Sequence, residues 1–310
     1  HGFDRTFEYM LTALADRQLW RHGRADVMSG LRLAKRGVAL TIAMADIAGA
    51  WSLEKVCRSL SQFAEMSISI ALNYLLFQAH KSEQLLLADP ENPEFSSGVV
   101  VLGMGKLGAR ELNYSSDIDL LVLFDGEKVN HRSSDGPQQG LHRMVREMVS
   151  LLGERSADGY VFRTDMRLRP DPGATPLTVS TAAAEQYYES LGQNWERAAM
   201  IKARAVAGDL EVGAQFLSRL VPFVWRKYLD FAAIEDIHSI KRQINAHKGH
   251  HEIAVAGHDI KVGRGGIREI EFYAQTQQLI WGGKEPGLRL GATCEALHAL
   301  AEAGQADPVA

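Results

Sequence analysis

Two aspartates separated by a single residue are the first candidates for chemistry. Asp117 and Asp119 stand at the start of an apolar run, and side chains two apart along a strand project to the same face. Converging carboxylates repel each other and raise each other's pKa, and a cation bound between them relieves this repulsion. Hard oxygen ligands suit Mg²⁺, with Mn²⁺ as the alternative ion. Taken alone, the pair favours a strand-end turn with both carboxylates in water over a metal site.

A glycine loop precedes the aspartates. The apolar residues 99–102 run into Gly103 and Gly105, and Lys106 then begins a helix-like stretch over 106–112. Such a loop lets backbone N–H groups approach a phosphate at a helix N-terminus. Its spacing fits neither the Walker A loop nor the full dinucleotide fingerprint, so a plain strand-to-helix turn is the alternative. Because the aspartate pair follows closely, the loop favours a phosphate site.

A third acidic candidate, Asp165, lies among arginines. The pattern predicts a strand over 160–169 whose alternation places Arg163, Asp165, Arg167 and Arg169 on one face. Asp165 would be a third metal ligand, and Arg167 and Arg169 would hold phosphate through charge-assisted contacts. Surface salt bridging is the alternative. Three carboxylates facing a glycine loop are typical of metal-dependent phosphoryl or nucleotidyl transfer.

The elements that must position these residues follow from periodicity. Residues 3–83 lack proline and repeat apolar side chains at helical spacing, and strands are expected at 99–102 and 118–124. A helix is predicted over 139–152, and helices again from 180 onward. The expected fold is α+β, a small sheet embedded in a largely helical protein. Three regions are expected: a helical one at 1–88, the sheet core at 89–175, and a second helical one at 176–310.

Composition excludes several function classes. The chain has 310 residues, 46% hydrophobic and 23% charged, enough for one large core or two medium ones. A net charge of −4 argues against a nucleic-acid partner, and no apolar run reaches the roughly 20 residues of a membrane span. Two distant cysteines and the lack of a signal peptide favour a reducing cytoplasm. Because the chain starts at His1, we expect a piece of a longer protein.

Four sequence blocks carry a family resemblance. They are GMGKLGARELNYSSDIDL at 103–120, DMRLRP at 165–170, NWERAAMIKAR at 194–204 and KVGRGGIREIEF at 261–272. Together they resemble the bifunctional glutamine synthetase adenylyltransferase/adenylyl-removing enzymes, which belong to the polymerase β-like nucleotidyltransferases. That family carries two such domains in tandem, one attaching AMP to a tyrosine of glutamine synthetase and one removing it. The block at 194–204 is similar to the amino-terminal, adenylyl-removing half.

The resemblance implies roles for individual residues. Asp117, Asp119 and Asp165 would be catalytic and would hold the metal, while Gly103, Gly105, Lys106, Ser115 and Ser116 would line the phosphate end. Lys202 and Arg204, on a helix, would approach the anionic substrate, and Arg268, at another helix start, would bind the attacking phosphate. For these last three, ordinary solvated or packed helices are the alternative.

The reaction implied is phosphorolysis. Inorganic phosphate would attack the AMP–tyrosine phosphodiester, releasing ADP and unmodified glutamine synthetase, with a PII-type signalling protein as regulator of the full-length enzyme. The alternatives are attachment of AMP from ATP to the same protein, or a non-catalytic regulatory module. Four histidines, His247, His250, His251 and His258, stand in a glycine-rich loop without metal-ligand spacing, and we expect no zinc site there.

Overall fold

A computed structural model describes residues 2–132, 136–227, 259–261, 263 and 265–306. The fold is α+β, as predicted, with a five-stranded mixed sheet among helices. The chain packs as two compact units, one of His1–Tyr187 with Ala203–Ser218 and one of Tyr188–Lys202 with Arg219–Ala310. These units differ from the three expected regions, since residues 1–88 and the sheet core share the first unit. No helix in the described ranges is long and apolar enough to cross a membrane.

The N-terminal part of the first unit is helical, which confirms the prediction for residues 3–83. It contains α1 (Gly2–Asp16), α2 (Arg24–Ile47) and α3 (Leu53–Lys81). The hydroxyl of Ser52 accepts the backbone N–H of Lys55, a standard N-cap that starts α3. Val56, Phe63 and Ile70 recur every seven residues along α3 and are all buried, so this face packs into the core.

The sheet consists of five short strands, and its second strand in chain order pairs with three of the others. The strands are β1 (Val99–Gly103), β2 (Ile118–Phe124), β3 (Thr164–Asp165), β4 (Thr178–Ser180) and β5 (Arg204–Gly208). Their order is β3-β2-β1-β5, and β4 also pairs with β2. β1 runs antiparallel to β2 and β5, whereas β3 and β4 run parallel to β2. β1 is buried throughout and β2 almost throughout, which explains their continuous apolar sequence.

The remaining helices are assigned as follows. In chain order, α4 (Gly105–Gly108) and α5 (Pro137–Gly153) belong to the first unit, and α6 (Thr181–Ser190) and α7 (Asn194–Met200) precede β5. After β5 comes α8 (Leu210–Arg219), nearly all of it in the first unit. The second unit then contains α9 (Val221–Val224), α10 (Ile267–Trp281) and α11 (Thr293–Glu302). The helix predicted over 139–152 is confirmed. The stretch 106–112 is helical only at its start, within α4.

Two predicted elements are wrong in extent. Instead of a strand over 160–169, only Thr164 and Asp165 are extended in β3, because the Asp165 carboxylate accepts the backbone N–H of Arg167 at 2.9 Å and turns the chain. The expected helix carrying Lys202 and Arg204 ends at Met200, and Arg204 begins β5 instead. β5 pairs with the edge of β1 that β2 leaves open, and so satisfies backbone hydrogen-bonding groups of β1. This pairing is a long-range contact, which sequence periodicity does not reveal.

Candidate active site

The three candidate carboxylates come from adjacent positions at the β2–β3 edge. In the parallel pairing of these strands, Asp119 is the direct partner of Asp165, so their backbones are about one strand spacing, 4.8 Å, apart. Asp117 stands immediately before β2 and two residues before Asp119. The sheet therefore places the backbones of the three aspartates at one edge, which sequence alternation alone could not establish.

Two arginines each pair with one of these carboxylates. The Arg163 guanidinium donates to Asp117 Oδ1 at 2.5 Å and to the carbonyl of Ser115 at 2.7 Å. Arg167 donates to both oxygens of Asp165, with its closest contact at 2.6 Å. The hydrogen bond from Arg167 holds the pKa of Asp165 below its usual value, and the carboxylates raise the pKa of both arginines. The chain itself thus compensates the charges of Asp117 and Asp165.

The donor set fits a hard divalent cation after a local rearrangement. Within the described residues, no three acidic, histidine or cysteine side chains are already disposed around a common point as metal ligands. Arg163 and Arg167 occupy carboxylate oxygens of Asp117 and Asp165 that such an ion would need. Because the Arg167 side chain is 84% exposed, it can swing into solvent and leave an all-oxygen carboxylate set of the kind Mg²⁺ or Mn²⁺ prefers.

The glycine loop directly adjoins this set. The backbone N–H of Met104 donates to the carbonyl of Asp119 at 2.9 Å, and Gly103 pairs with Leu120 across the sheet. Gly105 adopts φ +51°, and a Cβ placed there would lie 3.0 Å from Asp119 Oδ2. Glycine is therefore needed at 105 for both backbone conformation and space.

Arg204 braces the loop from β5. Its guanidinium donates to the carbonyls of Leu107 and Gly108 at 3.1 and 3.0 Å, where α4 ends, and to Glu65 at 2.5 Å. A cation at exposed helix carbonyls is a favourable end to a helix. The structure thus gives Arg204, predicted as a substrate contact, a bracing position behind the glycine loop.

We expect Gly105→Ala to lower activity by about 10- to 100-fold, since small misplacements of catalytic groups have effects of that size. The alanine would strain a left-handed backbone by about 1–2 kcal/mol and press its Cβ against the Asp119 carboxylate. Steady-state rates of AMP transfer measure the effect. Gly126→Ala is the matched control, because a Cβ there meets no atom within 4 Å and its activity should stay at the parental value.

The other predicted phosphate contacts of the first unit differ in burial and in the hydrogen bonds that they make. Lys106 is half-buried in α4, and Ser115 and Ser116 form the turn before Asp117, where Ser115 has φ +56° and the Ser116 hydroxyl bonds to Asn113. Arg169 donates to the carbonyls of residues 166, 172 and 175 at 2.7, 2.7 and 3.3 Å. The Arg169 side chain therefore holds together the loop that follows β3.

Lys202 and Arg268 belong to the second unit. The buried Lys202 ammonium donates to Glu271 of α10 at 2.9 Å and to the hydroxyl of Thr293 in α11 at 3.0 Å. Arg268 is exposed in the first turn of α10. The structure gives Lys202 a role in joining these helices. The four histidines of the glycine-rich loop, and Arg264, lie outside the described residues.

Sequence reasoning missed two residues that shape the site. Arg163 was placed on the correct face but not recognised as the partner of Asp117; its position two residues before Asp165 is the signal that could have found it. Glu65, which pairs with Arg204, lies in α3 more than a hundred residues away, and nothing in the sequence links the two.

Comparison with known proteins assigns a family. The family model for glutamate-ammonia ligase adenylyltransferase matches residues 4–219, and the model for GlnD PII-uridylyltransferase matches residues 238–308. The chain is 58% identical over 91% of its length to the bifunctional glutamine synthetase adenylyltransferase/adenylyl-removing enzyme of Rhizobium meliloti, and 58% identical over 90% to that of Agrobacterium fabrum.

The chain spans less than a third of these relatives, 29% and 28% of their respective lengths. The family match covers the whole described site of the first unit, from α1 through the carboxylates to α8. By the extent of this match and by its identity to these enzymes, the chain belongs to the glutamate-ammonia ligase adenylyltransferase family.

Proposed function

We propose that this chain removes AMP from an adenylylated tyrosine of glutamine synthetase by metal-dependent phosphorolysis, giving ADP and the unmodified protein. The observation that carries the proposal is the direct pairing of Asp119 with Asp165 beside Gly105. The relatives are named for both attachment and removal of the adenylyl group, and the NWERAAMIKAR block at 194–204 favours the removing half.

The proposed reaction balances without a covalent intermediate on the protein. An oxygen of inorganic phosphate forms a bond to the phosphorus of AMP, and the bond from that phosphorus to the tyrosine oxygen breaks. The tyrosine leaves as a phenolate, a moderately good leaving group since its pKa is about 10, and takes a proton from solvent. A divalent cation held by Asp117, Asp119 and Asp165 would neutralise the charge on the transferred phosphoryl group.

The chain's own residues would orient and bind. The backbone of the loop at Gly103, Gly105 and Lys106 would hold phosphate oxygens through N–H groups at the start of α4, which have no intrahelical acceptor. Arg167 would move from Asp165 to an anionic oxygen of the substrate when the carboxylates take up the ion. The bracing of α4 by Arg204 would keep that loop in place.

The proposed partners follow from the same findings. Glutamine synthetase would be the protein substrate, with phosphate, ADP and the AMP moiety as small ligands. The match of residues 238–308 to a family named for PII uridylylation supports a PII-type signalling protein as regulator of the full-length enzyme.

The direction of the reaction is tested by supplying each set of substrates separately. The chain is incubated with adenylylated glutamine synthetase and Mg²⁺, with and without inorganic phosphate, and in parallel with unmodified glutamine synthetase and ATP. We expect ADP release that requires phosphate. Activity seen only with ATP and the unmodified protein would show the opposite direction, and no activity in either assay would favour a binding module.

A further inference from the structure

A cavity of about 150 Å³ adjoins the carboxylate site without including the carboxylates. It lies between α2, α3, residues 112–116 before β2, and residues 160–162 before β3. All of these segments belong to the first compact unit. Of the residues assigned above to phosphate or metal, Ser115 and Ser116 line this space, whereas the three aspartates and the glycine loop do not.

The walls of the cavity are mostly apolar and aromatic, with Asn113, Ser115 and Ser116 as polar lining residues. Val38 and Ala39 of α2 line one side, and Phe63 and Phe162, with ring centroids 5.9 Å apart, line another. The Lys35 ammonium is the basic group in the lining, and it donates to the carbonyls of residues 160 and 161 at 3.2 and 2.6 Å. Its hydrogen bonds are thus directed to the backbone, which leaves a largely apolar surface for a ligand.

The rim of the cavity is joined to the carboxylates by one guanidinium. Arg163 donates to the hydroxyl of Tyr160, a lining residue, at 3.1 Å and to Asp117 at 2.5 Å. Ser115 and Ser116 also line the cavity and immediately precede Asp117. A ring held inside would therefore direct a substituent at its edge toward the reacting centre.

We propose that this cavity binds the phenol ring of the adenylylated tyrosine, which makes it the subsite for the protein side of the substrate. This inference rests on the proposed function. A mostly apolar cavity of about 150 Å³ has the size to hold one benzene-sized ring. The two-ring adenine base is larger, and its ring nitrogens and amino group would lose hydrogen bonds against these apolar walls.

The test compares two ligands that share AMP but differ in the ring. The probes are N-acetyl-O-adenylyl-tyrosinamide and ADP, titrated calorimetrically into the chain without phosphate, so that no turnover is needed. Ala39→Leu fills the cavity from α2. We expect the Kd of the tyrosyl ester to rise at least about tenfold, a loss of about 1.4 kcal/mol, while the Kd of ADP changes less than about twofold.

Ala43→Leu is the matched control. Ala43 lies one turn further along α2, is also half-buried, and does not line the cavity, so both ligands should bind it as they bind the parent. Unchanged ADP binding also reports that the leucine variant at 39 is folded. Ala39→Val adds a smaller side chain to the same wall and serves as the test if the leucine variant misfolds. It should weaken ester binding by a smaller factor.

The outcomes separate this inference from the proposed function. Equal weakening of the ester and ADP, in a variant that melts at the parental temperature, would place adenine in the cavity. Unchanged ester binding would show that no ring binds there. Either result overturns the proposal. A parent chain that fails to bind the ester also overturns it. A parent that binds the ester through the cavity but releases no ADP with phosphate would contradict phosphorolysis and leave the subsite intact.

Discussion

Asp119→Asn should reduce the rate of ADP release by at least about 10³-fold while leaving the fold intact. Loss of an outer-shell partner in a metal site already lowers affinity or activity by about 10- to 100-fold, and Asp119 is expected to be a direct ligand. The amide keeps the size of the side chain, and the backbone bond from Met104 to the Asp119 carbonyl is unaffected. Rates under saturating Mg²⁺, with a thermal melt of each variant, measure the effect.

Two further aspartate variants test the same expectation. Asp165→Asn should lower the rate by a similar factor, because Asp165 is the direct strand partner of Asp119. Asp16→Asn, at the exposed end of α1, is the matched control for loss of one carboxylate charge and should retain parental activity. If Asp119→Asn retained more than about a tenth of the parental rate, direct metal ligation by this residue would be untenable.

Arg197→Met should lower the free energy of unfolding of the second unit by about 2–4 kcal/mol. The Arg197 side chain is fully buried and donates to the carbonyls of Phe223 and Val224 at 3.0 and 3.1 Å and to Asn194 at 3.0 Å. Methionine fills much of the space but leaves these buried carbonyls without donors. Burial lowers the pKa of Arg197 to about 10, so the native environment already disfavours its charge.

Urea denaturation of the parent and two arginine variants measures this effect. Arg226→Met, on an exposed residue of the second unit after α9, should change the free energy of unfolding by less than about 0.5 kcal/mol. Equal stability of the parent and Arg197→Met would mean that its hydrogen bonds contribute no net stability. Since Arg197 lies in the NWERAAMIKAR block, this prediction also assigns part of that block to folding rather than to substrate binding.

Part of the site was predictable because it is local in sequence. The apolar runs of β1 and β2 are buried, so their composition identified them as strands. Asp117 and Asp119 were chosen from the side-chain period of a strand, and the structure places Asp119 in β2 and Asp117 immediately before it. The glycine at 105 was expected for close approach of a phosphate, and the structure adds the contact with Asp119 as a further reason for it.

The rest depended on distant contacts. The pairing of Asp119 with Asp165 is a matter of strand register, and alternation along each strand leaves that register open. Alternation also wrongly extended the strand to Arg169, whose side chain instead holds the carbonyls of the loop that follows. β5 was mistaken for helix because its short sequence has no clear preference for a strand, and it is extended through its pairing with β1.

Direct ion binding is the most immediate test of the account. Mn²⁺ is titrated into the parent chain, Asp119→Asn and Asp16→Asn, and free Mn²⁺ is followed by electron paramagnetic resonance in the absence of nucleotide. The account predicts saturable binding by the parent and by Asp16→Asn, and affinity at least about 10-fold weaker in Asp119→Asn. Equal Mn²⁺ affinity in the parent and Asp119→Asn would contradict a metal centre at the β2–β3 edge.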